Sequence, residues 1–142
     1  MTELFNQGYA LLIGVGECAY QPLSLPVTVK DTQAIYAALI DPELCAYPND
    51  REHIRVLNNE EATRSRILEG LKWLKEKAEV EPKATIFVYY SGHGWFKKDD
   101  NSFYLISSRT QLITQNSGLQ ALPSKESAKN QCVINSVQLL TT

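Results

Sequence analysis

Residues 84–90 read ATIFVYY, and SGHG follows at once at residues 91–94. The first seven residues are a continuous apolar and β-branched run, which is typical of a strand buried on both faces of a parallel sheet. Glycine tolerates backbone angles that other residues avoid, so Gly92 and Gly94 predict a sharp turn that presents His93 at the carboxyl end of this strand. Ligands bind at that end in open α/β sheets, which favours a functional role for the imidazole. The ordinary alternative is a loop histidine hydrogen-bonded to the backbone.

The length and charge of the chain restrict the classes of protein to which it can belong. A chain of 142 residues predicts one domain, and its 44% hydrophobic and 21% charged residues are ordinary for a globular protein. The net charge of −2 argues against a nucleic-acid partner, which would require a clustered basic excess. The apolar run at residues 9–15 is too short for a secretory or membrane-spanning segment, so we expect no membrane partner.

The cysteines and histidines argue against a disulfide framework and against a structural metal site. Cys18, Cys45 and Cys132 are odd in number and follow no recurring spacing, which favours the reduced thiols of a cytoplasmic protein. The chain has no CxxC pair, and His53 is the only histidine besides His93, so no metal site is predicted.

The segment GVGECA at residues 14–19 matches the G-x-G-x-x-A fingerprint of dinucleotide-binding proteins. That fingerprint functions only when a helix begins within it, because the helix N-terminus must face the pyrophosphate. Pro22 and Pro26 delay the next helix. We therefore favour a glycine-permitted turn, and nucleotide binding at Gly14 and Gly16 is the weaker alternative.

Strand and helix patterns alternate along the first part of the chain. Residues 9–15 and 53–57 predict two further strands, with a helix over residues 29–40 between them, and a second helix runs from an N-cap at Thr63 to residue 80. The residues expected on the inner faces of these helices are Ala34, Ile35, Ala38 and Leu39, then Ile67, Leu68, Leu71, Leu74 and Ala78, with Trp73 outside them. This alternation predicts an α/β fold, a three-layer α/β/α sandwich with a mainly parallel sheet in flavodoxin-like strand order.

The pattern changes after residues 103–106, which predict a short strand. Ser, Thr, Gln and Asn dominate residues 107–130 without a clear period, and residues 131–140 suit either a helix or a strand. We therefore divide the chain into a well-patterned part, residues 1–106, and a divergent or truncated C-terminal part, residues 107–142.

Three segments together resemble the caspase and metacaspase family of cysteine peptidases. YSGHG at residues 90–94 is similar to the family's histidine loop, and KDTQA at residues 30–34 is similar to the opening of its first helix. NNEEAT at residues 58–63 resembles the entry to its second helix. The resemblance covers roughly residues 7–106 and looks closest to the bacterial metacaspase-like branch.

The resemblance implies a Cys/His dyad in which His93 is the catalytic base and Gly94 supplies an oxyanion N–H. It also implies that Asp31 and Ser91 line the pocket for the residue before the scissile bond. In metacaspases that pocket is acidic and prefers Arg or Lys, which agrees with the pairing of a fixed carboxylate and a guanidinium. Without the resemblance, Asp31 would be interpreted as a carboxylate that the dipole favours at a helix N-terminus.

The chain departs from the family at the nucleophile, which the family places in an Asp-x-Cys-x-x-Gly-like sequence after a further buried strand. Cys132 is the only cysteine after His93, and Asn130 stands two residues before it. Cys132 is the first candidate nucleophile. Cys18 is the second, because a 2-1-3 strand order would bring its loop beside His93. We hypothesise that the end of a caspase-like domain is truncated or replaced after residue 106, as a frameshift or a gene split would produce.

The resemblance therefore implies a cytoplasmic cysteine endopeptidase that cleaves proteins or peptides after Arg or Lys and needs no cofactor. Calcium dependence occurs in parts of the family, and Asp99 and Asp100 are the candidate ligands, although a calcium site requires six or more oxygens. The alternative is an inactive caspase-like module that binds or regulates a homologous or complementary chain through an unpaired strand.

Overall fold

A computed structural model of the chain describes residues 3–16, 26–97, 102–108 and 131–134. The elements in chain order are β1 (Gly8–Gly14), α1 (Val27–Ile40), β2 (Ile54–Asn58), α2 (Arg64–Val80), β3 (Thr85–Lys97), β4 (Ser102–Leu105) and β5 (Gln131–Ile134). The order of strands and helices up to residue 106 agrees with the predicted one, and the segment that suited either a helix or a strand contains β5.

β1 is the centre of a parallel sheet in the order β2-β1-β3. Ala10 lies opposite Ile54 on one side and Phe87 on the other, and the β1–β3 pairing runs from Gly8 to the end of β1. The second half of β3 extends past β1 and pairs with β4 and β5, both antiparallel. The parallel part confirms the α/β fold and the flavodoxin-like order of its strands.

β4 and β5 lie at opposite edges of β3. Gly94 pairs with Leu105 of β4 and also with Cys132 of β5, and one residue can hold two strand partners only on its two sides. The carbonyl of Ser91 accepts a hydrogen bond from the N–H of Val15 (2.9 Å), directly after β1. The carbonyl of His93 accepts one from the residue that follows β4. Because alternate residues of a strand direct their backbone groups to the same edge, β4 continues the edge that β1 occupies.

Each face of the sheet is covered by one helix, because successive side chains of a strand point to opposite faces. Leu11 and Ile13 of β1 pack in one cluster with Trp73 and Leu74 of α2. The opposite cluster joins the alternate residues of β1 to Leu39 of α1. These clusters make the predicted three layers. Among the described residues, no helix is both long and apolar enough to cross a membrane.

The predicted turn at the two glycines is wrong. β3 continues without a break from Thr85 to Lys97, and no glycine in the described ranges has a positive φ. The strand continues because β4 and β5 supply partners for the residues that extend beyond β1. His93 is therefore a residue of a strand and not of a loop.

The predicted inner face of α2 is wrong in part. Leu74 is buried as expected, but Leu68 is 47% exposed and Leu71 is 39% exposed. Trp73, predicted to lie outside the stripe, is 6% exposed because its ring contacts the side chains of both neighbouring strands. It meets Tyr9 of β1 edge-on at 6.3 Å, and the guanidinium of Arg55 in β2 lies 4.2 Å from its centroid.

The ends of the two helices follow the sequence more closely than their inner faces do. Thr63 is the N-cap of α2, and its hydroxyl accepts a hydrogen bond from the N–H of Arg66 at 3.3 Å.

The inner face of α1 also differs in part from the predicted one. In α1, Leu39 is buried as predicted, whereas Ala34 is exposed and Thr32 takes a fully buried position. The Thr32 hydroxyl is hydrogen-bonded there, so its burial leaves no polar atom without a partner.

The corrected inner face of α2 is testable with two leucines of the same helix. Leu74→Ala is expected to lower the free energy of unfolding by about 2–5 kcal/mol, because a 2% exposed side chain leaves a cavity. Leu68→Ala is the matched control and should change it by no more than about 0.5 kcal/mol. Equilibrium unfolding in urea measures both values, and equal losses would contradict the assigned inner face.

Candidate active site

His93 stands at the carboxyl edge of the parallel strands. Ser91 of β3 pairs with Gly14, the last residue of β1, and His93 lies two residues further along. β2 ends at the same edge with Asn58, which lies opposite Gly14. The sequence predicted His93 at this edge of the parallel strands, but its own strand does not end there and continues to Lys97. The edge is the one at which open α/β sheets bind ligands.

The ring nitrogens of His93 and the pKa of the ring show the state of the imidazole. Its Nδ1 and Nε2 are both buried, and neither has a hydrogen-bond partner among the described residues. Burial disfavours the charged ring and lowers the pKa of His93 below the ordinary 6.5. The ring is therefore neutral at pH 7 and has a lone pair with which to accept a proton. This is the state that a general base requires.

Asp31 and Ser91, which the resemblance assigns to a substrate pocket, are in direct contact. The Ser91 hydroxyl donates a hydrogen bond to Asp31 Oδ2 at 3.0 Å, and Ser91 is fully buried. Ser91 and His93 are two residues apart on one strand, so their side chains lie on the same face of the sheet. That face is covered by α1, which contains Asp31.

Tyr89 is a third polar side chain on this face, and the sequence did not single it out. Its ring is 8% exposed and packs in the cluster beneath α1. Burial and the nearby carboxylate of Asp31 raise the pKa of Tyr89, while a hydrogen bond with Ser91 opposes the rise. Tyr89, Ser91 and His93 follow the period of two residues that defines one face of a strand, and that period is the signal in the sequence.

Gly92 is required for space and not for a turn. A Cβ atom on Gly92 would lie 2.6 Å from the hydroxyl oxygen of Tyr90 and 3.2 Å from Cβ of Val15. Tyr90 is 1% exposed on the face covered by α2. The glycine before the histidine therefore admits a tyrosine hydroxyl beneath the strand.

Two asparagines fix the neighbouring strand ends. The sequence placed them in the segment before the second helix but did not indicate them as residues of the site. Asn58 Oδ1 accepts a hydrogen bond from the Thr32 hydroxyl at 2.8 Å, and a Cβ on Gly14 would lie 2.6 Å from that oxygen. Asn59 Oδ1 accepts one from the N–H of Gly16 at 3.1 Å. Asn59 has a φ of 51°, a left-handed conformation that asparagine tolerates better than most residues, and the paired asparagines were the available signal.

The structure describes the position of Cys132 but not that of Cys18, the other candidate nucleophile. In β5, Cys132 lies opposite Gly94 and Val133 lies opposite His93, so the backbone of Cys132 is one residue from the position facing the histidine. Cys18 lies outside the described residues. Cys45 is exposed after α1 and has no partner cysteine within the described ranges.

The remaining predicted sites are not formed where the structure describes them. Gly14 is the last residue of β1 and helix α1 begins at Val27, so no helix starts in residues 14–16, the described part of the glycine fingerprint. Asp99 and Asp100, the candidate calcium ligands, lie outside the described residues. The described parts of the chain contain no group of three or more His, Cys, Asp or Glu side chains that could hold a metal ion.

The part of the chain that contains the parallel strands and His93 matches one family model. The family model for the caspase domain, peptidase family C14, matches residues 7–135, which include the five strands of the described residues. The chain belongs to this family. It is thus a caspase-like cysteine peptidase in its general class. No curated protein and no solved structure matches the chain.

The protonation state of His93 can be measured directly. We expect the His93 imidazole to titrate below pH 6.5, because burial without a compensating partner destabilises the imidazolium. NMR titration of the ring resonances in a His53→Gln variant, in which His93 is the only histidine, gives the midpoint. A midpoint at or above 6.5 would show that the ring is solvated or paired with an anion.

Proposed function

We propose that the chain is a metacaspase-like cysteine endopeptidase that cleaves proteins or peptides after Arg or Lys. The observation that supports this most is the arrangement on one face of β3. His93 is partly buried, its two ring nitrogens have no partner among the described residues, and it lies two residues from a serine that is bonded to Asp31. The base and an acidic substrate pocket would then share one short segment of backbone.

His93 would act as the base and later as the acid. Its neutral ring accepts the proton of the cysteine thiol, and the thiolate attacks the carbonyl carbon of the scissile bond. The imidazolium then gives this proton to the departing amine. Water, activated by the neutral ring, hydrolyses the thioester and restores the thiol. The buried site favours the neutral ring before and after each turnover.

We assign Cys132 as the nucleophile and keep Cys18 as the alternative. Paired Cα atoms in an antiparallel ladder lie about 4.5–5.5 Å apart, so the backbone of Cys132 lies close to that of Gly94. Opposite residues share a face of the sheet, and the residue opposite His93 is Val133, so Cys132 would meet the imidazole only after this ladder opens. Gly94 would supply the oxyanion N–H. Because Gly94 has strand partners on both sides, a substrate carbonyl would have to replace the β5 partner, and the β3–β5 ladder would open at this point.

The preference for a basic residue would come from the carboxylate of Asp31. Ser91 holds one carboxylate oxygen at 3.0 Å, which fixes the orientation of the group. An oriented carboxylate favours a guanidinium or an ammonium over neutral side chains. We place this activity in the cytoplasm, where the cysteines remain reduced.

Turnover of fluorogenic peptides that end in Arg, Lys, Asp or Leu tests the proposal. We expect cleavage after Arg and Lys alone. His93→Ala and Cys132→Ala should each lower kcat by at least about 10³-fold, because each removes a member of the dyad. Asp31→Asn should mainly raise KM for the Arg and Lys peptides.

Cys45→Ala is the matched control, since Cys45 is exposed and distant from His93 in the chain. It should retain full activity. Loss of activity in Cys18→Ala instead of Cys132→Ala would move the nucleophile to the loop after β1. No turnover by the folded chain with any peptide would refute catalysis by this chain.

One observation favours a second function, a caspase-like module that pairs with a homologous chain. In the described part of the chain, Thr85–Ser91 of β3 pair with β1 only, so the backbone groups of Ile86 and Val88 face an edge at which the described residues supply no strand. A strand edge of this kind accepts the strand of another chain. Such a module would act through this edge and would not need a nucleophile.

Amide hydrogen exchange distinguishes an open edge from a covered one. With an open edge, the N–H groups of Ile86 and Val88 should exchange at least tenfold faster than those of Phe87 and Tyr89, which face β1. The matched comparison lies within one strand and needs no variant. Uniform protection along β3 in the isolated chain would show a covered edge and contradict the second function.

A further inference from the structure

The hydroxyl of Tyr90 is bonded to the backbone of the histidine three residues later. Its oxygen lies 2.7 Å from the carbonyl oxygen of His93 and 2.8 Å from that of Ile106, so one proton can be shared between two acceptors. The side chain is 1% exposed, and the contact to Ile106 is buried. Tyr90 therefore connects His93 to the chain that returns after β4.

The contact between the Tyr90 hydroxyl and the His93 carbonyl lies just beyond Ser91, the last residue of β3 that pairs with β1. Along this edge of β3, the carbonyl of Ser91 is bonded by Val15, the first residue after β1. The next carbonyl on the same edge is that of His93, and it accepts from the N–H of Ile106 at 3.0 Å and from Tyr90. Both lone pairs of the His93 carbonyl are thus used, one by the return segment and one by the tyrosine.

Gly92 makes the contact possible. A Cβ atom at this position would lie 2.6 Å from the Tyr90 hydroxyl oxygen and 2.9 Å from Cζ of the same ring. Both separations are too short for non-bonded atoms, and the ring is enclosed by Val15 and the α2 face of the core. Any side chain at Gly92 would displace the hydroxyl from the two carbonyls.

We propose that Tyr90 is a positioning residue for His93, an inference that rests on the proposed peptidase function. Tyr90 and His93 point to opposite faces of β3, so the hydroxyl does not meet the substrate. It acts through the His93 carbonyl, which fixes the Cα from which the imidazole projects. A base displaced by about 1 Å from its productive position can lose on the order of 10²-fold in rate.

Tyr90→Phe tests this inference, because it removes the hydroxyl and retains the ring in the core. We expect kcat for the Arg peptide to fall about 10–100-fold while KM stays within about twofold, since the Asp31 pocket is not touched. Tyr36→Phe is the matched control, because the Tyr36 hydroxyl bonds Asn49 outside this site. It should leave kcat and KM unchanged.

Gly92→Ala provides a second variant with an independent steric cause. It should lower kcat as Tyr90→Phe does, and the double variant should lose less than the product of the two single losses, because both remove one contact. Full additivity would show that the two residues act separately and would overturn the assigned contact.

The His93 ring resonances give a readout that does not depend on turnover. In Tyr90→Phe, the imidazole shifts and titration midpoint should change, and in Tyr36→Phe they should match those of the parent chain. Unchanged resonances and unchanged kcat in a folded Tyr90→Phe variant would overturn the inference. If the parent chain has no activity, the proposed function fails, and the NMR comparison still decides whether Tyr90 positions the ring.

Discussion

One edge of β3 determines where the candidate base can stand. The parallel partner β1 supports this edge up to Ser91, and the segment after β4 takes over at His93. A strand that loses its partner usually ends or turns. Here the edge remains paired, so the histidine extends beyond the parallel sheet while its backbone stays in a regular strand. The site therefore lies beyond the ends of the neighbouring parallel strands and is still held by the rigid backbone of a sheet.

The fold was predictable because its determinants are local. Continuous apolar runs identified the strands, and Thr63 identified the start of α2. The inner face of that helix was not predictable from the spacing of its leucines. Trp73 is buried because its ring contacts Tyr9 and Arg55 on two strands, and the spacing of apolar residues does not show such contacts. The burial of a tryptophan depends on which strands lie beneath the helix, and that is tertiary information.

The glycines around His93 show a similar limit. The sequence shows a glycine at position 92. It does not show whether glycine is needed there for its backbone angle or for the lack of a side chain. The reason proved to be the hydroxyl of Tyr90, which the fold brings under the strand. Likewise, the contact between Asp31 and Ser91 joins residues 60 positions apart, and only the resemblance to a family linked them in advance. The contacts of Asn58 and Asn59 join residues 26 and 43 positions apart, and the pair of asparagines in the sequence does not show which partners they have.

The side chains on the two faces of β3 belong to different clusters, one around the candidate site and one in the larger core. Tyr89, Ser91 and His93 face α1, where burial and charge set their reactivity, whereas Val88 and Tyr90 face α2 and belong to the larger core cluster. Selection for the proposed peptidase activity would therefore act on one set of alternate residues and selection for a stable fold on the other, with Tyr90 subject to both. In a relative without catalytic activity, the residues that face α1 could be substituted while those that face α2 are kept. The substitutions along β3 would then fall at every second residue.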